Sequence, residues 1–145
     1  MKPDVVHILE EHGIIPTAQR VAVAEYVLHT MEHPSADKVW AGVKENFPMI
    51  SRATVYNTLN LFVEKGLLRA LHLAPDSVLF DPNTERHHHF IDEATGQIYD
   101  IAWDQIEVSS TKPLPDFEVT DYQVVMRGRR RHARIDFFHG ELDNV

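Results

Sequence analysis

Apolar positions recur at helical spacing through the first half of the chain and tend toward alternation in the second. Over residues 4–12, Val5, Val6, Ile8 and Leu9 form one face of a short helix that Gly13 ends. Thr17 follows Pro16 as the cap of a second helix, whose stripe is Val21, Val23, Ala24, Val27 and Leu28. Pro34-Ser35 stops one element and caps the next, a helix running through Val39, Trp40 and Val43 to about Asn46. Ser51 caps a fourth helix that turns Leu59, Phe62 and Val63 inward and has Gly66 just past its end. Residues 67–73 and 78–81 then read as two strands around Ala74-Pro75-Asp76-Ser77. Short helices followed by a β-hairpin make the winged helix-turn-helix arrangement.

Past the short hinge at residues 82–84, the runs 86–91 and 97–101 also read as strands, with Glu93-Ala94-Thr95-Gly96 turning between them. Residues two apart on a strand share a face, so His87 and His89 project together and His88 points to the other side. A four-residue loop places Asp100 opposite His89, whereas a three-residue loop slips the register and turns Asp100 away. In the first register two imidazoles and a carboxylate converge, a donor set suited to a borderline divalent metal. The competing reading is a polar, solvated hairpin with a chance histidine run or a tag remnant, against which the run's mid-chain place among strand-type residues argues. Residues 103–108 suggest a turn or two of helix, residues 109–115 a loop, and residues 117–127 a long strand. The expected fold is therefore α+β. A winged-helix domain (1–81) precedes a small α/β dimerisation and metal-sensing domain with an antiparallel sheet (85–131), then a tail (132–145). The second domain has too little apolar material to stand alone, which points to pairing with a second copy. Arg127, Arg129, Arg130, Arg131 and Arg134 either touch DNA phosphate or, the preferred reading, belong to a solvated tail. The residues beyond, to Val145, look weakly ordered.

Composition narrows the chemistry. At 145 residues and 43% hydrophobic, the chain can pack a core, and no apolar run approaches membrane-spanning length. The N-terminus lacks a signal peptide's apolar stretch, so a cytoplasmic protein without membrane partners is expected. There is no cysteine, so a metal must bind through His, Asp or Glu, and no cysteine-held structural zinc is available. A net charge of −8 argues against indiscriminate nucleic-acid binding but leaves room for a local reading surface. That surface is the helix opening at Ser51. Its N-terminal turn would face the bases and attract phosphate, Arg52 can contact phosphate or guanine, and Ser51 and Thr54 can donate to phosphate. Tyr56 offers a ring to a thymine methyl, and Asn57 can bond adenine. The competing readings are that Ser51 merely caps, that Tyr56 merely packs, or that the winged helix serves protein contacts. One weakly charged module binds poorly, so a dimer reading two half-sites of double-stranded operator DNA is expected.

Taken together, Thr17-Ala18-Gln19-Arg20, His33-Pro34-Ser35-Ala36-Asp37, the run from Ser51 to Leu59, Phe80-Asp81, the His87/His89 pair and Ile98-Tyr99-Asp100 occur in order and at matching spacing. In these motifs the chain resembles the ferric uptake regulator (Fur) superfamily of metal-dependent repressors, over about residues 4–131. The resemblance implies a DNA-binding domain hinged to a dimerisation domain, with Arg20 added to the DNA-binding residues. It implies a regulatory metal held by His33, Asp81, His87, His89 and Asp100. Three His and two Asp are similar to the peroxide regulator (PerR) branch, where Fe(II) or Mn(II) is the regulatory ion and iron lets peroxide oxidise a ligand histidine. Zn(II) could occupy the same donors in purified protein. The unbroken histidine run resembles the iron response regulator (Irr) branch, where it is implicated in haem binding.

Three departures from the superfamily matter. The paired zinc-binding cysteines are absent, with Asp92 and Thr95 in place of the first pair. A second metal or haem site survives only as His88 and Glu107, with Arg86 and Arg129 in its other places. Ile15 stands where relatives often carry a minor-groove Lys or Arg. The reading is thus a non-enzymatic, peroxide-responsive metal-dependent repressor, with a haem-responsive regulator as the alternative. A metalloenzyme is the distant third, because only Asp104 and Glu107 offer a base and no nucleophile motif accompanies them. A metal store is disfavoured because one compact site per chain would hold little.

Overall fold

A computed structural model describes residues 4–30, 32–109 and 112–131. The chain divides into two compact units, Met1–Arg86 and His87–Val145. In the first unit the helices are α1 (Val5–Glu11), α2 (Ala18–Val27), α3 (Ala36–Val43) and α4 (Arg52–Glu64). They are followed by β1 (Arg69–Ala74) and β2 (Ser77–Asp81), paired antiparallel. Every helix starts at a polar side chain that accepts a backbone N–H: Asp4 from Val6, Thr17 from Arg20, Ser35 from Lys38, and Ser51 from Thr54. Each such cap is worth about 1 kcal/mol against alanine. Gly66 adopts φ of 81° just past α4, a conformation a side chain disfavours.

The helices bury Val5, Leu9, Val23, Val27, Val39, Val55, Leu59 and Phe62 in one core, which Leu68 and Phe80 extend toward the hairpin. Trp40 Nε1 donates to the Ile50 carbonyl at 3.0 Å, tying α3 to the turn that aims α4. Some details differ from expectation: α3 stops at Val43 rather than about Asn46, and Ala74 pairs with Ser77 so that only Pro75 and Asp76 turn between the wing strands. Val6 faces solvent, and the strand ladder begins at Arg69 because Leu67 and Leu68 are drawn into the core, both their amides donating to the Phe62 carbonyl. A short extended segment before α3 also joins the hairpin. Ser35 bridges Leu79 antiparallel, and Phe80 N–H donates to the Pro34 carbonyl at 2.9 Å. Continuing that register sets His33 opposite Asp81.

The second unit contains β3 (His87–Asp92), β4 (Ile98–Ala102), a 3₁₀ turn (Trp103–Gln105) and β5 (Val125–Gly128), with strand order β4-β3-β5. The hairpin takes the four-residue loop, closed by Gly96 N–H on the Asp92 carbonyl with Gly96 at φ 77°, and it pairs His89 with Asp100. The β5 strand adds to β3 in parallel, so the sheet is an antiparallel hairpin with one parallel edge strand. The long strand expected over residues 117–127 shrinks to Val125–Gly128. The chain must first cross from the β4 edge to the far side of β3, and the residues making that crossing have no ladder to join. Phe117 and Val119 are left 72% and 60% exposed. Likewise the helical turn after β4 is only a 3₁₀ turn.

Among the described residues of this unit the buried side chains are His87, His88, His89 and Asp92, with no apolar side chain fully buried. Arg130 is held against the Tyr99 ring, 4.9 Å from its centroid, so the arginine stretch is not all solvated tail. Arg134 and the chain end lie outside the described residues. No helix of the described residues is long and apolar enough to cross a membrane.

Gly42 of α3 faces the Tyr26 ring of α2 so closely that a Cβ there would overlap it. Gly42→Ala is therefore expected to destabilise the protein by about 1–3 kcal/mol, read as a lower urea midpoint. An unchanged midpoint would mean that α2 and α3 do not pack this way.

Candidate functional site

Among the described residues of the first unit, one imidazole–carboxylate pair is buried on both sides, while the His7–Glu11 and His29–Glu25 pairs are more exposed. The extended backbone that Pro34 favours for the residue before it carries His33 to the end of β2. There His33 Nε2 lies 3.3 Å from Asp81 Oδ2, with both side chains almost fully buried. The other carboxylate oxygen of Asp81 accepts the Asn83 N–H at 2.9 Å, and Asn83 Oδ1 in turn accepts from Glu85 at 3.2 Å. This pair of side-chain-braced turns points Asp81 Oδ2 at His33.

The second unit holds a trio on one face of the β3–β4 hairpin. Asp100 Oδ1 is 3.5 Å from His87 Nε2 and 3.8 Å from His89 Nε2. The two rings meet edge to face with centroids 4.6 Å apart. His89 Nδ1 is 3.0 Å from Gln123 Oε1, an atom that can only accept, so in the neutral ring the other nitrogen carries the lone pair on the side of Asp100. Gln123 is absent from the expected site residues, and no pattern in its neighbourhood marks it. It reaches the site because the segment entering β5 is pinned to β3, His89 N–H donating to the Val124 carbonyl at 3.0 Å.

These donors fit a divalent cation. They are nitrogen and carboxylate oxygen without thiolate, the mixture that suits Fe(II), Mn(II) or Zn(II). The separations of 3.3–3.8 Å exceed the 2.7–2.9 Å or so of a strong charge-assisted hydrogen bond, as expected of lone pairs directed at an ion rather than at each other.

His88 has different surroundings. Fully buried, it stacks on Trp103 at 4.5 Å between centroids, and Trp103 leans on Tyr122. Its Nδ1 accepts the Val124 N–H at 2.9 Å. Glu107, its expected partner in a second site, is exposed beyond the 3₁₀ turn.

On the first unit, Arg20, Thr54 and Asn57 line one cleft of about 320 Å³ between the start of α2 and the side of α4, together with Thr17 and Gln19. Arg20 is steadied by donating to the Ile15 carbonyl at 2.9 Å. Tyr56 is 49% exposed on the same helix, so it does not merely pack. Ser51 acts as cap and also donates to Thr54 Oγ1 at 2.9 Å, so the two hydroxyls first satisfy each other. Arg52 is not in the cleft. Its guanidinium lies over Trp40 at 4.5 Å and 3.7 Å from Asp37, in an exposed and weak ion pair.

A profile of the ferric uptake regulator family matches residues 11–127. The chain belongs to this family. It is PerR-like in sequence: the peroxide-responsive repressor PerR of Staphylococcus aureus (strain Mu50) is 35% identical over 122 residues, covering 83% of this chain and 82% of that protein. Among solved structures, the ferric uptake regulator of Francisella tularensis, determined with iron, superposes with TM-score 0.67 at 25% identity, over 82% of this chain and 93% of that one. The ferric uptake regulator of Vibrio cholerae, described as revealing a rearrangement of the DNA-binding domains, gives TM-score 0.68 at 23% identity, over 88% and 100%. The V. cholerae likeness supports the fold alone.

Proposed function

We propose that this ferric uptake regulator family member is a cytoplasmic, homodimeric, metal-dependent repressor that binds operator DNA through α4 and is released by peroxide. The observation that carries the reading is the matched donors of the two units: His33 with Asp81 in the first, His87 and His89 with Asp100 in the second. One Fe(II) or Mn(II) held by all five would tie the DNA-binding unit to the dimerisation unit, and Zn(II) could fill the same donors in purified protein. Iron bound there would supply the chemistry by which peroxide oxidises a ligand histidine.

The protein's part is to hold each donor in place. Asn83 fixes Asp81, Gln123 fixes His89, and the hairpin register fixes Asp100. Losing one histidine lowers affinity for the ion, and with it the preference for the DNA-binding arrangement. An ion shifts that equilibrium only by its difference in affinity between arrangements. Pairing with a second copy is supported by the absence of a buried apolar side chain among the described residues of the second unit, and by exposed Leu114, Phe117, Val119 and Tyr122. The dimer then presents two copies of α4 to two half-sites.

A gel-shift assay with Mn(II)-loaded protein and its own promoter should show a complex that chelator abolishes and His89→Ala removes. Equal retardation with and without metal would contradict the proposal. Asn57→Ala is expected to weaken the complex by roughly 1–3 kcal/mol without changing metal uptake. Mass spectrometry of the Fe(II) form after peroxide should find an added oxygen on His33 or His87, and no mass gain would remove peroxide as the signal.

A further inference from the structure

Two of the three consecutive histidines of β3, His88 and His89, are held differently, and what separates them lies more than thirty residues along the chain, at Gln123 and Val124. A neutral imidazole carries one N–H and one lone pair, so the partner of one nitrogen decides the role of the other. Gln123 Oε1 only accepts, so at 3.0 Å it leaves the proton on His89 Nδ1 and the lone pair on Nε2, facing Asp100. The Val124 amide only donates, so at 2.9 Å it takes the lone pair of His88 Nδ1 and leaves the proton on Nε2. That Nε2 is buried with no hydrogen-bond partner among the described residues, and the ring face lies on Trp103. Adjacent rings are thereby held in opposite tautomers by consecutive residues of another segment.

We infer that Gln123 is a positioning residue that sets the tautomer of His89, and that the Gln123–Val124 step divides the histidine run into a metal ligand, His89, and a latch that does not bind metal, His88. The inference rests on the metal site proposed above and adds which ring nitrogen is used and what selects it. For His88 to ligate a second metal or a haem iron through Nε2, it would have to shed its proton or move it to Nδ1, which would break the bond from the Val124 amide that ties β3 to the segment entering β5. The same three hydrogen bonds, counting His89 N–H to the Val124 carbonyl, join the metal-facing strand to the segment that enters β5.

The test uses the full-length protein with 15N-labelled imidazoles, metal-free and above neutral pH. Long-range 1H–15N spectra should show His88 protonated on Nε2 and His89 protonated on Nδ1. Zn(II), which is diamagnetic, should then move the His89 Nε2 resonance and leave both His88 nitrogens in place. Gln123→Leu should abolish the His89 tautomer preference and weaken Zn(II) binding by roughly 10- to 100-fold, and Gln123→Glu, which keeps an acceptor, should restore both. A wild-type His89 protonated on Nε2, a His88 resonance that follows the metal, or a Gln123→Leu variant that binds Zn(II) as tightly as the wild type would each overturn the inference. If the wild type takes up no Zn(II), the metal-site reading fails and the ligand role with it, while the metal-free spectrum still decides whether Gln123 sets the tautomer.

Discussion

Cross-strand register is the constraint on which the candidate centre depends. In both units a histidine stands opposite an aspartate across an antiparallel pairing. His89 faces Asp100 on the β3–β4 hairpin, and the Ser35–Leu79 bridge sets His33 against Asp81. A strand has a period of two, so a slip of one residue in either ladder would turn its carboxylate to the opposite face and dismantle that half of the donor set. The turn closed by Gly96 and the Phe80–Pro34 hydrogen bond are therefore as important to the chemistry as the ligands themselves.

The two units meet this demand by different means. In the first, α3 and Phe80 belong to the apolar core, so the position of His33 before α3 and of Asp81 after Phe80 follows from the packing of α3 and the wing. The second fills its interior with imidazoles and one aspartate, whose burial is made tolerable by the partners that several of their polar atoms find. The Gln123–Val124 segment supplies several of those partners, and Asp92 accepts the Ala94 amide at 2.9 Å. An interior of this kind contributes little hydrophobic stabilisation, which the proposed second copy and bound ion would each supplement.

Much of this was legible in local patterns. Helix caps at Thr17, Ser35 and Ser51, the helix stop at Gly66, and the four-residue loop that sets Asp100 opposite His89 all depend on residues close in sequence, and the structure has them as expected. What escaped is long-range. Nothing near Gln123 signals that it meets His89, because that meeting depends on where β5 is laid against β3. The alternation over residues 117–127 looked like a strand but belongs mostly to a crossing, since periodicity records the spacing of apolar residues and not whether a neighbouring strand is there to pair with. His33 and Asp81 entered through family resemblance, and the bridge from the segment before α3 to β2 gives their approach a physical cause.

Whether a single ion takes donors from both units is decided by titration of Zn(II) into wild type, His33→Ala, His89→Ala and the double variant. The account predicts one ion per chain in the wild type, a loss of affinity of at least about 10-fold for either single substitution, and a double variant whose loss departs from the sum of the two because both histidines serve the same ion. A His33→Ala protein that binds the same number of ions with undiminished affinity, while His89→Ala does not, would confine the ion to the second unit and contradict the account.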